Sequence, residues 1–155
     1  MLEVAPGLPQ LQIDRVRMRL LLRNLLDNAR RYSVGTVSGG GLRTGDGEAD
    51  VAEGRGAGGP VKVSLAREGN TLVLRVRDHG PGVADAQLAH LAEPFFRADT
   101  ARQRSTGGVG LGLYLCRLVA QAHGGSLSVR NAHPGLQVTV SLPISGPLAA
   151  SITPA

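Results

Sequence analysis

The segment NLLDNARRYS, residues 24–33, carries three side chains that could hold a metal ion and a phosphate. On a helix, with about 100° between successive residues, Asn24, Asn28 and Arg31 fall within roughly 60° of one another. An amide oxygen is a suitable neutral ligand for Mg²⁺, and a guanidinium pairs well with phosphate oxygens. The spacing therefore indicates a polar rim for a metal and a phosphate. Taken alone, the segment fits a surface helix with two incidental asparagines equally well.

Two glycine clusters offer a second way to bind phosphate, through the backbone. The sequence DHGPG (78–82) follows a predicted strand, and GGVGLGL (107–113) opens a predicted helix. Glycines allow close approach of the backbone, and the free amide hydrogens at a helix start form an anion site. Neither cluster is a Walker loop or a dinucleotide fingerprint, because the Gly-Lys-Ser/Thr and the distant acidic residue are missing. Taken separately, a common turn and close helix packing explain the two clusters.

The helix that carries the two asparagines has a clear start and a clear apolar side. Asp14 is a good N-cap for a helix of about 19 residues ending near Ser33, since its carboxylate can accept amide hydrogens of the first turn. The arc predicted to face the core consists of Leu21, Leu22, Leu25, Leu26, Ala29 and Tyr32. Asn24, Asn28 and Arg31 border this arc, between the core and water.

The rest of the chain alternates between strand and helix patterns. The predicted elements are a strand or two before Asp14, the long helix, strands 61–67 and 71–78, a short helix that ends before Pro94, a helix over 109–123, and strands 126–131 and 136–143. Helices with one apolar stripe each must cover a sheet. The pattern therefore predicts an α/β fold, a two-layer sandwich whose mixed, mostly antiparallel sheet is covered by helices on one face.

We expect one domain over residues 1–143, because 155 residues are too few for two ordinary domains. Residues 34–60 are rich in glycine and poor in large apolar side chains, which predicts a disordered insertion. The polar stretch 97–107 is expected to be mobile, and 144–155 a flexible tail. The single cysteine, Cys116, lies in an apolar run and is expected to be buried and unreactive.

Composition narrows the classes of function. The net charge of +5 would suit a polyanion, but the arginines are scattered and only four residues are aromatic, so no nucleic-acid partner is expected. No stretch approaches the roughly 18 apolar residues that span a bilayer, and the N-terminus has no export signal, so a cytoplasmic location is expected. A basic nucleic-acid-binding module is an alternative that predicts steeply salt-dependent DNA binding.

Four segments in chain order, NLLDNARRYS, DHGPG, EPFFR and GGVGLGL, resemble the N, G1, F and G2 boxes of bacterial two-component sensor histidine kinases. The resemblance covers nearly the whole chain outside 34–60 and the tail. It implies the ATP-binding catalytic domain of such a kinase, with the Bergerat-type fold shared with gyrase, Hsp90 and MutL, and with ATP and Mg²⁺ as cofactors. The insertion departs from the usual short link after the N box, which leaves open a degenerate domain that serves as a scaffold.

Carried over by position, the resemblance assigns both ends of a nucleotide site. Asn28 would coordinate Mg²⁺ with help from Asn24, and Arg31 would reach a phosphate. Tyr32 would pack near the adenosine. Asp78 would accept a hydrogen bond from the exocyclic amine of adenine, which would give base selectivity.

The resemblance assigns the other boxes to loops that close over the nucleotide. Gly80 and Gly82 would let the first glycine box close over the base, and Phe95 and Phe96 would anchor the near end of a lid over 97–107. The lid arginines expected to meet phosphates are Arg97, Arg102 and Arg104. The second glycine box would bring its backbone against the triphosphate through Gly108, Val109, Gly110, Leu111 and Gly112.

The resemblance also separates phosphoryl transfer from hydrolysis. Hydrolysing members of the superfamily have a glutamate where this chain has Asn24, and a neutral amide cannot act as a general base. The expected function is donation of the γ-phosphoryl group to a histidine on a separate dimerisation and phosphoacceptor domain, and a related ATPase or serine kinase is the alternative. The groups expected to be catalytic are Asn24, Asn28, Arg31 and Arg97. A response regulator would act downstream, and the parent protein would be a membrane-bound homodimer.

None of the four histidines is expected to be catalytic. They are His79, His90, His123 and His133, and none lies in the sequence context by which the phosphoacceptor histidine of this family is recognised. The acceptor is therefore expected on another domain.

Overall fold

The computed structural model describes residues 1–33, 59–97 and 109–144. Most of the predicted insertion, the predicted lid after Arg97 and the tail after Ile144 lie outside the described residues. The elements are β1 (Leu2–Val4), α1 (Arg15–Ser33), β2 (Lys62–Glu68), β3 (Thr71–Arg77), α2 (Asp85–Leu88), α3 (Gly112–Ala122), β4 (Ser126–Asn131) and β5 (Leu136–Pro143).

The strands of the described ranges form one sheet in the order β1-β2-β3-β5-β4. β1 runs parallel to β2, and all other neighbouring strands are antiparallel. Leu74 in the central strand pairs with Leu65 on one side and Val140 on the other, so inward-facing residues line up across the sheet. Both predicted hairpins are confirmed, and the parallel edge strand makes the sheet mixed, as predicted.

α1 and α3 lie side by side and antiparallel on one face of this sheet, which confirms the two-layer fold. The Cys116 thiol lies 3.5 Å from the carbonyl oxygen of Leu21, and the Asp14 N–H donates to Nε2 of His123 at 3.0 Å. The buried core between helices and sheet consists of Leu21, Leu25, Ala29, Leu74, Val76, Cys116, Val119, Ala120, Val140 and Leu142. Burial raises the pKa of Cys116 to about 12, so the thiol is protonated and inert, as expected.

The start and length of α1 follow the sequence prediction. Asp14 Oδ1 accepts the N–H groups of Val16 and Arg17 at 2.9 and 3.0 Å, and the helix runs 19 residues to Ser33. The predicted core arc is wrong at Leu26, which is 36% exposed. α3 covers the flank of α1 that carries Leu21, so the buried arc is shifted away from Leu26.

Two helices are shorter than predicted. α2 has only four residues. Beyond it the N–H groups of Leu91 and Glu93 donate to carbonyls three residues earlier, which gives tight turns instead of α-helix. α3 begins at Gly112 instead of residue 109, because Gly110 adopts a left-handed φ of 80°. The Gly110 carbonyl accepts the N–H of Phe95 at 3.1 Å. This hydrogen bond connects the turn before α3 to the residues that follow α2.

Candidate functional site

A cavity of about 370 Å³ opens between the C-terminal half of α1, the start of α3 and the end of β3. The predicted site residues that line it are Asn24, Asn28, Arg31, Tyr32, Asp78, Gly82, Arg97, Val109, Gly110, Leu111 and Gly112. They come from all four sequence boxes. The fold therefore brings together, in one concave surface, residues that are up to several tens of positions apart in the chain.

The two asparagines of α1 face the first turn of α3. Asn24 Nδ2 donates to the carbonyl of Leu20 at 2.9 Å, which fixes the orientation of the amide. A Cβ built on Gly112 would lie 3.4 Å from Asn24 Oδ1 and 3.4 Å from Asn28 Nδ2, so both amides lie next to the first residue of α3. Leu111 precedes α3 and provides no side-chain cap. This end of the cavity therefore combines amide oxygens with uncapped helix N–H groups, which suits an anion.

Asp78 occupies the opposite end of the cavity and is 6% exposed. Its Oδ1 accepts the N–H groups of Gly80 and Leu136 at 2.9 and 3.0 Å, and its own N–H donates to the Leu136 carbonyl at 2.9 Å. Burial raises the pKa of Asp78, and the two accepted hydrogen bonds oppose that shift. Both of these accepted hydrogen bonds end on the same carboxyl oxygen. The carboxyl group is thus held by one oxygen, and the other can accept a donor from a ligand.

The sequence reasoning missed an apolar wall beside Asp78. The wall consists of Val76, Val83, Leu91, Phe96, Leu136 and Val138. The alternating pattern of 136–143 was a visible signal that some residues of β5 face inward. The pairing of β5 with β3 was not visible, and this pairing is what brings Leu136 and Val138 next to the carboxylate. An apolar wall next to a buried acceptor suits a flat aromatic ring with an exocyclic donor.

Of the two phenylalanines predicted to anchor the lid, Phe96 lines the cavity and Phe95 does not. Phe95 is 69% exposed and has a left-handed φ of 64°. The Phe95 N–H donates to the Gly110 carbonyl, which holds the chain at this turn. The side chain of the next residue, Phe96, lines the cavity. Phe96 also lies near His90, with ring centroids 5.5 Å apart.

Of the four other predicted residues, the structure describes only one. Gly80 does not line the cavity. A Cβ built there would lie 2.6 Å from the Tyr32 carbonyl oxygen, so this glycine lets the loop pack against the end of α1. Arg104 and Gly108 lie outside the described residues, as does Arg102.

Two observations on the described residues concern metal binding and membrane insertion. No group of three or more His, Cys, Asp or Glu side chains is arranged to hold a metal ion. None of the described helices combines the length and apolar character needed to cross a bilayer.

Comparison with known proteins gives one consistent answer. The family described as histidine kinase-, DNA gyrase B-, and HSP90-like ATPase matches residues 13–146. The chain is 33% identical over 134 residues to the alginate biosynthesis sensor protein KinB of Pseudomonas aeruginosa, covering 86% of this chain and 18% of that protein. It is 34% identical over 132 residues to the signal transduction histidine-protein kinase BaeS of Escherichia coli, covering 84% and 24%.

A solved structure extends the comparison to three dimensions. The mycobacterial sensor histidine kinase MprB superposes with a TM-score of 0.69 and 29% identity, covering 92% of this chain and 80% of that one. This likeness confirms the α/β fold. The two curated relatives are much longer, since this chain spans only 18% and 24% of their lengths. The chain belongs to the family of histidine kinase-, DNA gyrase B- and HSP90-like ATPases, and within it resembles the catalytic domains of sensor histidine kinases.

Proposed function

We propose that the chain binds ATP with Mg²⁺ in this cavity and donates the γ-phosphoryl group to a histidine on a separate dimerisation and phosphoacceptor domain. The observation that carries the proposal is the amide of Asn24 at the cavity rim, beside the first turn of α3. Hydrolysing relatives have a glutamate at this position. An amide cannot take a proton from water, so the site favours transfer to a protein acceptor over hydrolysis.

At the phosphate end, Asn28 would hold Mg²⁺ with help from Asn24. The fit is chemical: two neutral oxygen donors on one helix face suit an ion that usually takes only one or two protein ligands and fills its shell with phosphate and water. When bound, Mg²⁺ neutralises developing negative charge on the phosphates. Arg31 and Arg97 also line the cavity and would pair with phosphate oxygens.

The start of α3 would complete the phosphate end. Val109, Gly110, Leu111 and Gly112 line the cavity, and the uncapped N–H groups of the first turn favour a negative charge. Transfer of a phosphoryl group asks the protein mainly for positioning and charge neutralisation, which these groups supply. Arg104 and Gly108 are proposed to act beside them, from the stretch that would form the lid.

At the base end, Asp78 would accept a hydrogen bond from the exocyclic amine of adenine through Oδ2. Guanine presents an oxygen at the equivalent position, so the same carboxylate would disfavour it. Tyr32, which lines the cavity, would pack near the adenosine. Gly80 and Gly82 would let the loop after β3 approach α1 and the base closely.

The setting of this activity is also part of the proposal. The relatives are sensor proteins several times longer than this chain. We propose that the parent protein is a membrane-bound homodimer with this domain on the cytoplasmic side, that the phosphoacceptor histidine lies on its dimerisation domain, and that a response regulator acts downstream. No nucleic-acid partner is proposed.

The proposal is tested by titrating the purified chain with a non-hydrolysable ATP analogue in the presence and absence of Mg²⁺. Tight binding is expected only with Mg²⁺. A second assay supplies labelled ATP to the isolated chain, which should incorporate no label because the acceptor is on another domain. Label incorporation into this chain would contradict the assignment, and so would steady release of inorganic phosphate without an acceptor.

A further inference from the structure

The turn that joins β4 to β5 is hydrogen-bonded to the base end of the cavity. Leu136, the first residue of β5, makes two hydrogen bonds with Asp78: the Leu136 N–H donates to Asp78 Oδ1, and the Leu136 carbonyl accepts the Asp78 N–H. Asn131, the last residue of β4, lies at the other end of this turn. The turn is closed by the Ala132 N–H, which donates to the Gly135 carbonyl at 2.8 Å. Both strand ends at this turn are therefore fixed relative to the cavity.

The side chain of Asn131 binds the loop that forms the cavity wall after Asp78. Its Nδ2 donates to the Val83 carbonyl at 2.8 Å, and its Oδ1 accepts the Val83 N–H at 3.1 Å. The amide thus pairs with both polar groups of one residue, as a neighbouring strand would. Nδ2 also donates to Asp85 Oδ1 at 2.7 Å, at the start of α2. One half-buried side chain therefore links β4, the loop and α2.

The backbone of this loop is matched to Asn131. Gly82 has a left-handed φ of 73°, and a Cβ built on it would lie 2.8 Å from Asn131 Oδ1. A side chain at position 82 would thus meet both backbone strain and the amide. Gly82 and Val83 line the cavity, whereas Asn131 does not. Asn131 therefore acts on the cavity only through the loop that it holds.

We propose that Asn131 is a positioning residue for the nucleotide base: it fixes the Gly82–Val83 wall at the distance from Asp78 that an adenine requires. The inference rests on the proposed function, because it assumes that a nucleotide base occupies this end. The amide is required in place of a carboxylate, since its donor group serves both the Val83 carbonyl and Asp85. A carboxylate at 131 would face the carboxylate of Asp85 and leave the Val83 carbonyl without this donor.

The test is the near-isosteric variant Asn131→Asp. We expect its affinity for a non-hydrolysable ATP analogue with Mg²⁺ to fall about tenfold, because a charge-bearing hydrogen bond is lost and a repulsion is gained. The affinity for the corresponding GTP analogue, which is already lower in the wild type, should change by no more than about twofold, because guanine does not make the hydrogen bond to Asp78 that the positioned wall serves. Calorimetry measures both affinities, and the ratio between them is the readout.

Two further variants sharpen the result. The double variant Asn131→Asp with Asp85→Asn places a donor opposite the new carboxylate and should recover part of the ATP affinity. Ser128→Ala, at an exposed position on the same strand, is the matched control and should change neither affinity. Melting temperatures of all variants are measured without nucleotide, so that loss of folding is seen separately.

The outcomes distinguish the inference from the function on which it rests. Failure of the wild-type chain to bind any nucleotide overturns the proposed function, and the inference with it. Normal binding by the wild type with an unchanged ATP to GTP ratio in Asn131→Asp overturns the inference alone. An equal loss of both nucleotides together with a lowered melting temperature shows that Asn131 only stabilises the fold, which also overturns the inference.

Discussion

The two ends of the cavity are built in different ways. At the phosphate end, Asn24 and Asn28 are half-buried and Arg31 is exposed, all on one helix. Their positions depend on how α1 lies against α3. At the base end, Asp78 is buried and bonded to Gly80 and Leu136 through its backbone and side chain. We infer that the fold sets the whole base end before a nucleotide binds, whereas at the phosphate end it fixes the amide of Asn24 but leaves Arg31 in solvent.

The largest expected effect is at the phosphate end. Asn28→Ala removes the oxygen that we propose as the principal protein ligand of Mg²⁺. The affinity for an ATP analogue with Mg²⁺ should fall roughly 100-fold, about 2.7 kcal/mol, and the dependence on Mg²⁺ should disappear. Calorimetry with and without the metal measures both effects.

Asn28→Asp is the matched variant for this test, because it keeps an oxygen ligand in the same place. It should retain Mg²⁺-dependent binding. Unchanged affinity in Asn28→Ala would remove the metal assignment and with it the proposed difference between the two ends.

The second effect is at the base end, where Asp78→Asn should lower ATP-analogue affinity roughly 30-fold, about 2 kcal/mol. The amide oxygen of the variant side chain can still accept the N–H groups of Gly80 and Leu136. The NH₂ group then takes the place of Oδ2, so that two donors, this group and the exocyclic amine of adenine, would face each other. The melting temperature should stay the same or rise, because a buried charge is removed. A lower melting temperature in Asp78→Asn would show that the charge itself stabilises this end.

The same residue predicts a pH dependence. Burial raises the pKa of Asp78 above its ordinary value of 3.8, so the folded chain holds this proton more tightly than the unfolded chain. The resulting contribution to the free energy of unfolding is complete below pH 3.8 and is lost as pH rises through the raised pKa. ATP binding should show the opposite trend and weaken as pH falls through it, because a protonated carboxyl group is a poorer acceptor. Asp78→Asn should show neither change in denaturation and binding measured against pH.

The comparison of the two ends also explains what the sequence could predict. The phosphate end follows from local rules: Asp14 caps α1, helical periodicity places Asn24 beside Asn28, and a glycine cluster opens α3. The base end depends on contacts between distant segments. The position of Asp78 was predicted from its resemblance to a known motif, but Leu136 and Asn131 reach it only through strand pairing. Phe96 lines the cavity and Phe95 does not because the backbone turns at Phe95, and no periodicity in the sequence reveals this turn.

A smaller effect is expected at the turn that carries the phosphate end. A Cβ on Gly110 would lie 2.8 Å from the Phe96 carbonyl oxygen, in a residue with φ of 80°. Gly69 has a φ of 60° and open space around its Cβ position, so it is a matched control for backbone strain without a clash. Gly110→Ala should lower the free energy of unfolding by about 1.5 kcal/mol more than Gly69→Ala does. Equal losses in urea denaturation would show that the packing of Phe96 on this turn is loose.

The smallest effect is expected far from both ends, at the start of α1. Asp14→Ala removes the cap from the helix that carries Asn24 and Asn28 and should lower the melting temperature slightly. Nucleotide affinity should stay within about twofold, because packing against α3 and the sheet holds the C-terminal half of α1 in place. Calorimetry measures both quantities for the wild type and the variant.

The pH dependence of stability shows whether loss of the helix cap causes the effect of Asp14→Ala. The Arg17 N–H is the first of several groups that hold the pKa of Asp14 below its ordinary value of 3.8. The stabilisation is therefore present above pH 3.8 and is lost as pH falls through the lowered pKa, where the wild type and Asp14→Ala should converge. Asp14→Asn also caps the helix but carries no charge, so it should keep most of the stability and lose this acid dependence. If Asp14→Ala instead weakened ATP binding as much as Asp78→Asn does, the phosphate end would depend on the whole length of α1, and the contrast between the two ends would become greater still.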